Sequence, residues 1–152
     1  MRICGIDPGV NGALCVLDSK DPAHVALLDL QKYSIFEAAT WLHKQAVTTI
    51  WIEDVHSLFG MSAKSNFGFG RNLGIVIAIS EIVLSGAEIQ TVTPKIWQKF
   101  IGITAKGPLI KKQVGQVASA LYPAANIRGP KGGLLDGRSD ALMICHYGLN
   151  HT

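Results

Sequence analysis

Two short apolar runs each end on an acid, and this pairing restricts the fold more than any other feature of the chain. Arg2-Ile3-Cys4-Gly5-Ile6 runs into Asp7, and Ile50-Trp51-Ile52 runs into Glu53. Runs this short and this rich in Ile have strand length. A carboxylate at the end of a buried strand is costly unless it is paired or binds a metal. The two strands are therefore expected in one sheet, with both acids at its C-terminal edge. Asp136 and Asp140 flank the start of an apolar helix, Asp136-Gly137-Arg138-Ser139-Asp140-Ala141-Leu142. Residues four apart lie on one helix face. Carboxylates scattered in sequence but carried on strand ends and one helix face can converge on a hard cation such as magnesium. That set points to metal-assisted cleavage of a phosphodiester.

The remaining pattern supplies the elements such a sheet needs. Residues 2–7 and 12–17 flank Asp7-Pro8-Gly9-Val10-Asn11-Gly12, a connection that predicts a hairpin. A third strand is expected near 24–30. Ser34 and Glu37 have capping-box spacing, which opens a helix to about residue 46. Phe36, Ala39, Leu42 and Ala46 are expected on its apolar face. Residues 49–54 read as a strand, followed by a polar, glycine-bearing loop over 56–66. A long helix, apolar almost all round, is expected over about 69–85, with Gly86 as its stop. Residues 90–93 read as the fifth strand. Thr93-Pro94 opens a helix with Thr as cap and Pro at the first position. Another helix covers 108–121, residues 126–133 read as a mobile Pro/Gly loop, and the last helix runs from 136 to about 147. The order β-β-β-α-β-α-β-α-α-α predicts an α/β fold, a mixed five-stranded sheet flanked by helices. With no internal repeat and no linker, residues 1–152 read as one domain.

Apolar residues make up 48% of the chain and charged residues 16%, which excludes a disordered protein. Cys4, Cys15 and Cys145 are odd in number, lack a Cys-x-x-Cys pair and sit in apolar runs, so they read as buried free thiols of a reducing compartment. Asp7 interrupts the N-terminal apolar run, so no secretory signal is expected. The most apolar stretch, 73–84, is short and carries Glu81, so no membrane span is expected and the protein is placed in the cytosol. The net charge of +3 is mild, but no acid occurs from Ile89 to Leu135, where Lys95, Lys99, Lys106, Lys111, Lys112, Arg128 and Lys131 lie. A basic segment beside an acidic site suits a polyanion held over metal ions.

With these residues in view the chain resembles the RuvC-type Holliday junction resolvases of the ribonuclease H-like superfamily, and most of all their short phage-type members. The resemblance covers essentially the whole chain. It rests on Gly5-Ile6-Asp7-Pro8-Gly9, Ile52-Glu53-Asp54-Val55, Phe69-Gly70-Arg71-Asn72-Leu73-Gly74, Lys111-Lys112-Gln113-Val114 and Ser139-Asp140-Ala141-Leu142, in this order. It implies a ribonuclease H-like fold and a structure-selective endodeoxyribonuclease that resolves four-way DNA junctions by paired symmetric nicks. Asp7, Glu53 and Asp140 match the family's metal-binding acids, which implies two magnesium ions per site, with manganese as the alternative. The family commonly has an acid or His three positions before the last Asp. Gly137 stands there, and Asp136 lies one residue earlier. Lys111 matches a lysine near the scissile phosphate. Phe59 lies in the loop where the family inserts residues into the junction. Arg71, Lys99, Lys106, Lys112 and Arg138 are assigned as DNA contacts by position and charge. A junction has two symmetric cleavage points, so one site per chain implies a homodimer; residues 69–85 are the expected interface.

Plainer roles compete with some of these. Asp136 could serve only as a helix N-cap, and Asp7 as a turn residue. Glu53 and Asp54 point to opposite faces of a strand, so only one can join Asp7. The surface cations could act in solubility alone, and residues 69–85 could be buried within one chain. A second enzyme reading is a general ribonuclease H-like nuclease acting on RNA–DNA hybrids or other branched DNA. A DNA-binding module with a dead site would not retain four acids, and a sugar-kinase or actin-like ATPase needs two such domains.

Overall fold

A computed structural model describes residues 1–54, 62, 63, 66, 67, 70, 72–74, 76, 77 and 86–152. Five strands form one sheet in the order β3-β2-β1-β4-β5. β1 (Arg2–Asp7) and β2 (Ala13–Asp18) are antiparallel, paired from Arg2–Asp18 to Asp7–Ala13. Their connection closes with a 2.9 Å bond from the Gly12 N–H to the Gly9 carbonyl. β3 (Asp21–Asp29) continues the meander antiparallel to β2. β4 (Thr49–Glu53) and β5 (Glu88–Val92) add in parallel on the other side of β1. This is the mixed sheet expected from the element order. β3 and β5 begin before the expected residues 24 and 90, because ladder pairing recruits polar residues that the side-chain pattern leaves out.

A single 3-10 turn, Leu30–Lys32, leads from β3 to α1 (Ile35–Lys44). The capping box is present: the Glu37 N–H donates to Ser34 Oγ, and the Ser34 N–H donates to Glu37 Oε2 at 2.8 Å. The helix ends short of residue 46, where Ala46 takes a φ of 51°. Its buried residues are Ala38, Ala39 and Leu42. Phe36 is 80% exposed, which corrects its placement on the apolar face. Phe36 lies six positions from Leu42, about 240° around the helix, so the two cannot share a stripe.

α2 (Pro94–Phe100) and α3 (Leu109–Leu121) follow β5, and α4 (Asp136–Leu149) closes the chain. Pro94 opens α2 as expected, but Thr93 makes no side-chain cap bond. Residues 126–133, expected to be a mobile loop, are tied into a small hairpin. Arg128 bridges Leu134, the Gly129 N–H bonds the Gly133 carbonyl at 2.8 Å, and the Leu135 N–H bonds the Ile127 carbonyl at 2.9 Å. Ile127 is buried beneath it. Between β4 and β5, residues 63, 66, 67, 70, 72–74, 76 and 77 are helical, and Leu73, Val76 and Ile77 pack on the core. The remainder of the expected loop 56–66 and helix 69–85 lies outside the described residues. Gly86 stands before β5 with a φ of 109°, a conformation that favours glycine.

Strand alternation divides the core in two. Cys4, Ile6, Leu14, Val16, Ile50 and Ile52 face α1 and Val76. Ile3, Cys15, Leu17 and Trp51 face α4, α2 and α3. Ala141, Leu142, Met143, Ile144 and Cys145 are fully buried in consecutive positions. α4 is thus enclosed on every side, between the sheet and the outer helices, and each large apolar side chain there contributes about 1.5–3 kcal/mol. Gly5 permits this packing: a Cβ on it would overlap the Ala141 carbonyl oxygen and the Cys145 backbone N. Cys4, Cys15 and Cys145 are free and buried, as expected. Among the described residues no helix is long and apolar enough to cross a membrane.

Candidate active site

The two acid-tipped strands arrive side by side. β1 and β4 pair in parallel through Ile6 and Ile52, so the next residues, Asp7 and Glu53, end neighbouring strands at the same edge. By alternation both lie on the face that carries α4. Both are nearly buried, at 9% and 8% exposure. Asp54 follows the end of the strand, and its N–H bonds the Val92 carbonyl at 2.9 Å. Of the two neighbouring acids, the sheet therefore places Glu53 beside Asp7.

α4 brings the other two acids to this edge. Ser139 and Ala141 are fully buried on either side of Asp140. Asp136 is the first residue of the helix, and Leu135 occupies the cap position without a side-chain bond. This corrects the reading of Asp136 as a helix cap. Its carboxylate instead forms an ion pair with Lys111, from α3. Gly137, three positions before Asp140, has no room for a side chain. It packs directly on the β1–β2 connection, where a Cβ would overlap the Asn11 carbonyl oxygen. No side chain fits at that position.

Electrostatics show that the acids act on one another. Burial, then the charges of Asp7, Glu53 and Asp136, hold Asp140 well above the ordinary carboxyl range, with Lys111 opposing. Burial and the Asp7 charge push Glu53 from 4.5 up to about 7, against a hydrogen bond from Trp97. Burial also raises Asp7; the Gly9 N–H opposes this, and the Asp136 charge adds to it. Lys111 is raised, chiefly by its bond to Asp136. Buried like charges at close quarters are a standing cost that a bound cation removes.

Three of the four acids are held by a protein group. The Gly9 N–H donates to Asp7 Oδ1 at 2.8 Å, Trp97 Nε1 donates to Glu53 Oε1 at 2.8 Å, and Lys111 pairs with Asp136. Among the described residues no group of three or more His, Cys, Asp or Glu is arranged to bind a metal ion. The donor set nonetheless fits a hard divalent cation. It is all carboxylate oxygen, and the mutual repulsion of three of its members rises with ionisation.

The other sequence assignments separate. Lys99, Lys106, Lys111 and Lys112 are exposed on α2, the α2–α3 loop and α3. Arg138 is not a free surface cation. Its Nε and Nη2 clamp Asp29 at 2.5 and 2.9 Å, and Nη1 donates to the Asn126 carbonyl at 2.7 Å. With its charge matched and its donors engaged, it ties α4 to the end of β3, which argues against its assignment as a phosphate contact. Phe59 and Arg71 lie outside the described residues. Trp97 was missed by sequence reasoning. A tryptophan early in a short helix signals core, and nothing local links it to an acid 44 positions earlier.

No family model and no curated protein sequence matches the chain. Solved structures do match it. Thermus thermophilus RuvC in complex with a Holliday junction substrate aligns over 100% of this chain and 97% of that one, with a TM-score of 0.65 at 17% identity. The fowlpox virus Holliday junction resolvase aligns over the whole of both chains, with a TM-score of 0.63 at 13% identity. Its complex with junction DNA gives 0.58 at 14% identity, over 99% of this chain and 98% of that one. The chain has a RuvC-type resolvase fold. The expected α/β, ribonuclease H-like architecture, a five-stranded mixed sheet with flanking helices, is borne out in the described residues. Within the RuvC-type fold the crowded acids stand at the C-terminal edge of the central strands β1 and β4, where open α/β sheets hold their ligands.

Proposed function

We propose that this chain is a divalent-metal-dependent endodeoxyribonuclease that resolves four-way DNA junctions. One observation carries the reading: buried acids from β1, β4 and α4 raise one another's proton affinity at the sheet edge of a RuvC-type fold. Asp7, Glu53, Asp136 and Asp140 would hold magnesium. Bound there, magnesium would supply an activated water and charge stabilisation for the leaving 3′ oxygen. The near-complete burial of Asp7 and Glu53 excludes bulk water from that edge and strengthens every charge interaction within it.

Lys111 has two tasks in this scheme. In the resting chain it neutralises Asp136. Were Asp136 to hold a cation, the Lys111 ammonium would be left beside the acids, where it could contact the scissile phosphate and offset charge in the transition state. The exposed Lys99, Lys106 and Lys112 would contact the DNA backbone. Two copies related by a two-fold axis would match the two cleavage points of a junction.

The test is a panel of four-way junction, flap, linear duplex and RNA–DNA hybrid, incubated with magnesium and read on a denaturing gel. Paired nicks in the junction with little cutting of the others support the proposal. Equal cutting of the hybrid moves the assignment to a general ribonuclease H-like nuclease.

A further inference from the structure

Trp97 is a neutral side chain hydrogen-bonded to one of the buried acids. Its indole Nε1 donates to Glu53 Oε1 at 2.8 Å, inside the protein. The ring is 1% exposed and packs in the cluster that contains Val114, Ala118 and Ile127. Its helix begins at once after β5, the parallel neighbour of β4, through Thr93-Pro94. The donor is therefore fixed relative to the strand that ends in Glu53. Glutamate has three rotatable side-chain bonds, so without such a tether its carboxylate would sample many positions.

We propose that Trp97 is a positioning residue for the metal site: its indole N–H restrains Glu53 Oε1 and leaves Oε2 for a divalent cation. The inference rests on the nuclease reading above. The chemistry of the donor matters. A lysine or arginine in this place would neutralise Glu53 and compete with the metal, as Lys111 does at Asp136. A neutral N–H orients the carboxylate and leaves its charge for the cation. Groups that orient a ligand in this way typically change metal affinity by 10- to 100-fold when removed. The plainer account is that Glu53 merely satisfies a buried indole N–H. The two accounts differ in what happens to metal binding.

The experiment compares wild type, Trp97→Phe and Trp51→Phe. Trp51→Phe is the control: it deletes an equivalent indole bond, 3.0 Å to Thr152 Oγ1, on a residue with no bond to the acids. Manganese binding is measured by calorimetry on the DNA-free protein, together with thermal unfolding and junction affinity in calcium. Trp97→Phe is expected to weaken manganese binding about tenfold while junction affinity is unchanged, with Trp51→Phe like wild type. Equal manganese affinity in Trp97→Phe and wild type overturns the inference while leaving the nuclease reading intact. A wild type that binds no manganese and cuts no junction overturns both. Should Trp97→Phe fail to fold, the wild-type chain is titrated with calcium and its indole N–H signals are followed by NMR. The Trp97 signal is expected to shift as the metal binds, and an unmoved signal at saturating calcium overturns the inference.

Discussion

Glu53→Gln separates the electrostatic strain of the acid cluster from its chemistry. The folded chain raises the Glu53 carboxyl from 4.5 to about 7. Below pH 4.5 the group is neutral in both folded and unfolded chains and contributes no strain. As pH rises from 4.5 to about 7, the unfolded chain releases its proton while the folded chain retains it, so stability falls. Above about 7 the full penalty stands. Each pKa unit is worth about 1.4 kcal/mol, so the penalty approaches about 3 kcal/mol for this buried group. Glutamine keeps the shape and the acceptor for Trp97 but carries no charge. In chelator at pH 8, Glu53→Gln is therefore expected to be more stable than wild type by up to about 3 kcal/mol, or up to roughly 10 °C in Tm for a chain of this length. At pH 5 the gain should fall to under about 1 kcal/mol. Magnesium should reverse the order at pH 8, because wild type gains a ligand bond that the variant lacks. Thermal unfolding at the two pH values, with and without magnesium, decides it. An equal effect at pH 5 and pH 8, or a destabilised variant in chelator at pH 8, refutes the reasoning.

Three further outcomes follow from the same geometry. Lys111→Ala should lower the single-turnover cleavage rate more than it weakens junction binding, whereas Lys112→Ala should reduce the salt slope of binding by about 1 with little effect on the rate; identical behaviour of the two refutes the distinction. Arg138→Ala should cost about 2 kcal/mol of stability by leaving the buried Asp29 with Lys32 alone, while the salt slope of DNA binding stays unchanged. Gly137→Ala should destabilise the fold strongly, because its Cβ overlaps the Asn11 carbonyl oxygen; a wild-type Tm would show that the β1–β2 connection yields easily.

The parts that were legible in sequence are those set by local pattern or turn chemistry. Asp7-Pro8-Gly9 and Gly12 announced the β1–β2 hairpin, and Ser34 with Glu37 announced the start of α1. Asp7 and Glu53 could be paired because alternation and parallel strands leave little freedom at a sheet edge. Where local pattern fell short or left alternatives open, long-range contact decided the outcome. Phe36 looks apolar, yet Ala38, Ala39 and Leu42 set the phase of α1 against the sheet. Asp136 resembles a cap until Lys111 arrives from another helix. Arg138 reads as a surface cation until the fold brings Asp29 within 2.5 Å. Trp97 and Glu53 meet only because β5 lies beside β4.

The central claim is that acids from three separate elements form one metal site that acts on a four-way junction. Asp140 tests it most directly, since the charges of all the other three act on it. The measurement uses a strand-end-labelled four-way junction with magnesium, wild type beside Asp140→Asn, and junction binding in calcium as the control. The account predicts symmetric paired nicks from wild type, no nicks from Asp140→Asn, and binding by the variant at least as tight as wild type. Nicks of wild-type yield from Asp140→Asn would contradict it.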